Sequence, residues 1–183
     1  MIRIATAECF THGKIGRELH ALAQNYEGNF GSEYLEAPYD FDFSEVSVTC
    51  SLFIPTIEAG VKILNVKNPP KPDKLIKGIK VYDEEGDIEV SKIMAQAVKD
   101  LSGCDVAIGT TAGIGRGAIS IITDEYEITT TTSVYADLCE KNSEELFKRS
   151  EDGIRKALKL VMLLLNNKIE EIESLKNVEM KKL

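Results

Sequence analysis

The amino-acid sequence predicts an α/β protein: one domain over residues 1–183, three layers deep (α/β/α), with a mixed sheet and a long C-terminal helix. Three observations carry this prediction. Short apolar runs alternate with amphipathic helical stretches along the first part of the chain, the pattern of strand–helix–strand units. Two β-rich runs, 118–123 and 127–135, are separated only by Asp124–Glu125–Tyr126 and read as an antiparallel hairpin. From Ser143 onward, apolar residues recur at helical spacing for many turns. Residues 1–140 then form the sheet core, and residues 143–183 a C-terminal helix packed on it or on a partner subunit.

Each element follows from local pattern. Ile2, Ile4 and Ala5 read as a buried strand that turns at Thr6–Ala7–Glu8, after which Ile15, Leu19, Leu22 and Ala23 share a helical face. Residues 25–45 are irregular and rich in turn formers, with Tyr34, Tyr39, Phe41 and Phe43 interleaved; they either plug the core or line a pocket. Val46, Val48, Cys50, Leu52 and Ile54 alternate with polar residues as a strand does, and Pro55 ends it. A short helix over 57–66 leads into the stiff Lys67–Asp73 connection, and Ile79–Tyr82 reads as another strand. Asp83–Asp87 reads as a solvated acidic turn, followed by an amphipathic helix through Val90, Met94, Val98 and Leu101 with Gly103 beyond its end. Val106–Ile108 is an apolar strand. In the last helix, Phe147, Ile154, Leu158, Val161, Leu165, Ile169 and Ile172 make one face, whose final turns overrun a domain's diameter.

Composition excludes several functions. With 43% hydrophobic and 28% charged residues the chain has the make-up of a soluble globular protein. A net charge of −8 argues against general binding to nucleic acid or anionic membrane, while leaving room for one small anionic ligand. The cysteines (Cys9, Cys50, Cys104, Cys139) are scattered without a CxxC, and His12 and His20 are the only histidines, so no metal site is expected. No signal peptide or membrane span is visible: the Leu158–Leu165 run is short and interrupted by Lys159. The chain therefore reads as cytoplasmic, with reduced thiols.

Two stretches carry the chemistry. Cys9 falls where a strand gives way to a helix, with Thr6, Glu8, Thr11 and His12 around it. Unpaired N–H groups at a helix start favour a thiolate, the nucleophilic form; a small inert cysteine packed under a turn is the other reading. The loop Thr110–Thr111–Ala112–Gly113–Ile114–Gly115–Arg116–Gly117 suits an anion, through inward N–H groups, hydroxyls and the Arg116 fork. A tight turn without a ligand is its alternative. Its partial likeness to a dinucleotide fingerprint is misleading, because β-rich sequence follows where a helix is required.

The motifs TAECFTHG (6–13), VSKIMAQAV (90–98) and AIGTTAGIGRG (107–117) together resemble the nucleotide amidohydrolases related to the C-terminal domain of the competence-damage protein. The resemblance covers about residues 2–135 and implies that fold. In those proteins a serine follows Thr-Ala-Glu as the nucleophile, and this lands on Cys9. A lysine that assists it aligns with Gly60 here, with Lys62 close by. A thiol with its base missing resembles a hydrolase converted to hold an acyl group, since cysteine needs less activation. AECFTHGKIG and ITTTTSVYADLC add a closer resemblance, over the whole chain, to the archaeal family of uncharacterised proteins (UPF0254) that includes the Hcg F protein of Fe-hydrogenase (FeGP) cofactor biosynthesis.

That resemblance implies guanylylpyridinol as the ligand and no permanently bound cofactor. It implies capture of the ligand's carboxyl group as a thioester on Cys9, after ATP-dependent activation by a separate adenylating enzyme of the methanogenic pathway. The expected arrangement puts the phosphate on Thr110, Thr111, Ala112, Gly113, Gly115, Arg116 and Gly117, with segment 34–43 over the rings. Thr6, Glu8, Thr11 and His12 would orient the acyl group or help hold its oxyanion. A homo-oligomer is also expected. The alternatives are a cysteine amidohydrolase or pyrophosphatase acting on a pyridine nucleotide, and a non-catalytic nucleotide-binding scaffold.

Overall fold

In a computed structural model, which describes residues 1–35 and 41–183, the elements in chain order are β1 (Ile2–Glu8), α1 (Lys14–Ala23), β2 (Val46–Phe53), α2 (Ile57–Lys62), β3 (Lys74–Ile76) and β4 (Ile79–Val81). They continue as α3 (Glu84–Ser102), β5 (Val106–Thr111), β6 (Ile114–Gly115), β7 (Ala118–Ile122), β8 (Tyr126–Thr131) and β9 (Ala136–Asp137). The chain closes with α4 (Ser143–Leu165), α5 (Ile169–Ser174) and β10 (Val178–Lys182).

The main sheet runs β10-β8-β7-β5-β1-β2. Strands β2, β1 and β5 are parallel, while β7, β8 and β10 add antiparallel, so the sheet is mixed as expected. Period-two alternation divides the core. Ile4, Ile108, Ile119 and Ile121 point to one side, where Ile15 and Leu19 of α1 and Ile154, Leu158 and Val161 of α4 cover them. Ala5, Ala7 and Ala107 point to the other, against Val90, Met94 and Val98 of α3. Small residues let α3 lie close: a Cβ at Gly109 would stand 2.1 Å from the Ser91 carbonyl oxygen and 2.5 Å from the Ala95 nitrogen.

Three boundaries differ from expectation. β1 continues through Thr6–Glu8 rather than turning there, because Ala5, Thr6 and Ala7 are held beside Ala107, Ile108 and Gly109 of β5. The acidic run at 83–87 is a helix start: Asp83 caps the Gly86 N–H at 2.8 Å, and Asp87 is buried. The single terminal helix becomes three elements. α4 stops at Leu165, left-handed Asn167 (φ 56°) turns the chain, Ile172 of α5 reaches the core, and β10 pairs with β8 from Val178↔Thr130 to Lys182↔Tyr126. Among the described residues, no helix is long and apolar enough to cross a membrane.

Candidate functional site

The chain leaves β1 at Glu8 and passes through Cys9–Gly13 before α1 begins. Gly13, at the helix N-cap, is left-handed (φ 78°) and has no side chain with which to cap. Glu8 does this instead. Its buried carboxylate accepts from the Ile15 N–H (3.1 Å), the Gly16 N–H (2.8 Å) and the Thr11 hydroxyl (2.7 Å). Burial pushes its pKa up, and these donors hold it down. Hence the helix-start N–H groups expected to activate Cys9 and hold an oxyanion are already occupied by an internal anion. Thr6, further back on β1, is turned to the Ser51 hydroxyl at 3.3 Å.

The glycine-rich loop shows the same economy. It does collect negative charge, but from α3. The Gly113 N–H donates to Asp87 Oδ2 at 2.7 Å and the Arg116 N–H to Glu84 Oε2 at 3.2 Å. The Arg116 Nε also meets Glu84 at 3.4 Å. Burial raises the Asp87 pKa to about 7, against the pull of the Gly113 N–H and the Arg149 charge. Gly115 (φ 129°) and Gly117 (φ 73°) give the loop its turn, and a Cβ at Gly117 would strike that of Ala112 at 2.6 Å.

The expected site residues therefore separate. Cys9, Thr11 and Thr110 come together: the Cys9 N–H donates to the Thr110 carbonyl (3.0 Å) and hydroxyl (3.2 Å), and the Thr11 and Thr110 hydroxyls are 2.9 Å apart. Thr111 is buried on the strand face that Gly109 presents to α3. Arg116, expected beside the thiol, lies instead in a separate groove with Glu84 and Thr129–Thr131. Lys62 is exposed and pairs with Glu58 at 2.5 Å, one turn earlier on α2. The buried lysine at this edge is Lys80, whose ammonium donates to the carbonyls of Ile54 (2.9 Å) and Pro55 (3.4 Å). Of the aromatic segment, Tyr34 and Phe43 are buried in the core and Phe41 packs against it, so none of them covers the thiol. Pro38 and Tyr39 lie outside the described residues.

What surrounds Cys9 is a cavity of about 120 Å³ at the carboxyl ends of β1, β2 and β5, with Cys9 itself 6% exposed. His12, Phe53, Ala112, Leu146 and Arg149 are in its wall. The His12 ring is tilted against Phe53 at 5.6 Å, and burial together with the Lys14 charge lowers its pKa, favouring neutral imidazole. Arg149, from α4, escaped the sequence reading. It is 2% exposed, and its Nη1 donates to the carbonyls of Ala136 (2.7 Å), Gly115 (2.8 Å) and Gly113 (3.1 Å). Its guanidinium sits 5.9 Å from the centre of the Phe10 ring, and its buried Nε has no hydrogen-bond partner. The signal available in the sequence was its spacing: Arg149 continues the buried stripe Gly153–Ala157–Val161 at four-residue intervals.

Comparison with known proteins gives a match that spans five of the six strands of the main sheet, β10 lying beyond it. The family described as FeGP cofactor biosynthesis protein HcgF matches residues 1–165. A UPF0254 protein of Methanopyrus kandleri is 44% identical over 94% of this chain and 92% of its own length. One from Methanococcus maripaludis strain C7 is 45% identical, covering 90% of this chain and 96% of its own. One from Methanocaldococcus jannaschii is 41% identical, over 90% and 97% respectively.

Proposed function

The chain belongs to the HcgF family of FeGP cofactor biosynthesis proteins, and from that premise we propose that it binds guanylylpyridinol and captures the ligand's activated carboxyl group as a thioester on Cys9. The observation that carries the reading is the position of Cys9. It stands at the carboxyl edge of the parallel strands, where open α/β sheets bind ligands, in the wall of a mostly apolar cavity that also holds a neutral imidazole and a buried guanidinium.

The step balances as acyl transfer. An adenylating enzyme of the pathway supplies the acyl-adenylate. The thiol proton passes to His12 or to water, and Sγ forms a bond to the acyl carbon. The bond from that carbon to the phosphate oxygen breaks, and AMP leaves with the electron pair. The thioester keeps the acyl group activated for its next acceptor. The cavity wall supports retention over turnover: Lys62 points away on α2, and the Lys80 ammonium is committed to two carbonyls, so no free lysine stands ready as a hydrolytic base among the described residues.

Intact-mass spectrometry after incubation with guanylylpyridinol, ATP and the adenylating enzyme tests the proposal. One adduct per chain is expected, retained in Cys50→Ser and Cys139→Ser and absent in Cys9→Ser. Steady release of a free product with no trapped species would favour a hydrolase. Binding that is unchanged in Cys9→Ala, with no adduct in the wild type, would leave a scaffold.

A further inference from the structure

We propose that Arg149 is the anion receptor of the Cys9 cavity, its Nε–H holding the acyl oxygen as that atom becomes an oxyanion; this rests on the reading of Cys9 as the acyl acceptor. The assignment comes from following the donors expected to serve the thiol to their partners. The Ile15 and Gly16 N–H groups go to Glu8, the Cys9 N–H goes to Thr110, and the Gly113 and Arg116 N–H groups go to Asp87 and Glu84. These five backbone donors, two at the start of the first helix, one at the thiol itself and two in the glycine-rich loop, are spent within the protein. Arg149 Nε is not, although it is buried and belongs to a residue in the wall of the same cavity.

A buried N–H without a partner costs the fold free energy, and a site that keeps one has a reason in its ligand. The rest of the guanidinium is fixed for the purpose. Three carbonyls grip Nη1 from β6, the turn before it and β9, and the Phe10 ring lies against the group. The donor is therefore pre-set, with no reorganisation left for the moment of reaction. In the acyl step, negative charge moves from Sγ onto the carbonyl oxygen as the S–C bond forms, then to the departing phosphate as the C–O bond breaks. A fixed cation in the wall of the same cavity as the thiol stabilises each stage, and selects an acyl donor that is itself anionic, such as an acyl phosphate ester. His12, neutral in the resting site, is free to take the thiol proton.

Two alkylating probes of similar size and different charge test this without the natural ligand. Iodoacetate and iodoacetamide are reacted separately with the full chain, and modification of Cys9 is followed by peptide mass spectrometry. Relative to glutathione, the iodoacetate-to-iodoacetamide rate ratio at Cys9 is expected to be raised by about tenfold, the lower range for a hydrogen bond to a charged group. It should fall to the glutathione value in Arg149→Gln. Arg149→Lys, which restores charge without an Nε–H at that point, should recover part of the ratio yet form the thioester slowly. A wild-type ratio equal to that of glutathione overturns the proposal with no variant needed, and so does a raised ratio that persists in a folded Arg149→Gln. Normal anion preference with no thioester in the wild type would instead overturn the acyl-capture reading and leave Arg149 as an anion receptor.

Discussion

Replacing Asp87 with Asn should change how stability depends on pH, and the structure gives both sign and size. Asp87 is buried on α3, and burial lifts its pKa from 3.8 to about 7. The folded protein thus holds a proton there that the unfolded chain releases about three units lower. The stabilisation is complete below about pH 4 and is lost as pH rises through about 7, a swing of roughly 4 kcal/mol at most, since one unit corresponds to about 1.4 kcal/mol. About 2 kcal/mol of it falls between about pH 5 and 7, where urea unfolding is practical. Asn keeps an acceptor for the Gly113 N–H and is neutral throughout. The wild-type-minus-variant difference, which cancels every other titration, should therefore move against the wild type as pH rises. Parallel curves would refute the reasoning. A difference of opposite slope would go further, showing Asp87 ionised inside the fold in the combined field of Arg149 and Lys80.

Three further outcomes follow from the same geometry. Glu8→Gln replaces two oxygens that together accept from two N–H groups and a hydroxyl with an amide that can turn only one oxygen to them, so it should cost about 2 kcal/mol in urea unfolding and slow Cys9 capture by loosening the turn. Gly109→Ala puts a methyl group into α3 backbone and should destabilise by about 3 kcal/mol on the same assay, with the Cys9 alkylation rate rising as the edge opens. Cys9→Ser should leave the unfolding midpoint within about 1 kcal/mol of wild type while abolishing the adduct, because one buried atom is exchanged for another of similar size.

The layered fold was legible because its signals are local. Alternation at 46–54, helical spacing at 90–101 and the hairpin from 118 each need only neighbours in sequence, and each element forms on its pattern, although the hairpin's second strand stops at Thr131 rather than running to Tyr135. The chain end was not legible for a matching reason. The face from Phe147 to Ile172 keeps helical spacing across Asn166–Asn167, and nothing in the sequence distance announces that Asn167 will take the left-handed conformation and send Val178–Lys182 back to β8. β10 is held by the register of a strand some fifty residues earlier, and a five-residue segment ending in two adjacent exposed lysines carries little pattern of its own.

The site divides along the same line, and the division decides where its chemistry lies. Sequence identifies donors: a helix start after Gly13, a run of glycines and threonines at 109–117. It cannot say whether a donor is already used, because the acceptors are Glu8, Glu84 and Asp87, and only Glu8 is a near neighbour of the groups it satisfies. A loop that attracts anions will be filled by any carboxylate the fold can deliver, and α3 delivers two from its first turn. Once those N–H groups are neutralised, an incoming anion gains nothing from them. A charge that can act on a ligand at Cys9 comes from a group whose own partners leave donors over, and the fold supplies it by running a cation, Arg149, through an otherwise small and apolar stripe of α4. The same three carbonyls that make Arg149 tolerable in the core also prevent its Nη1 from turning to a ligand, so discrimination falls to the rest of the guanidinium, the unpartnered Nε included, and the chemistry of the cavity hangs on a side chain 140 positions away from its thiol.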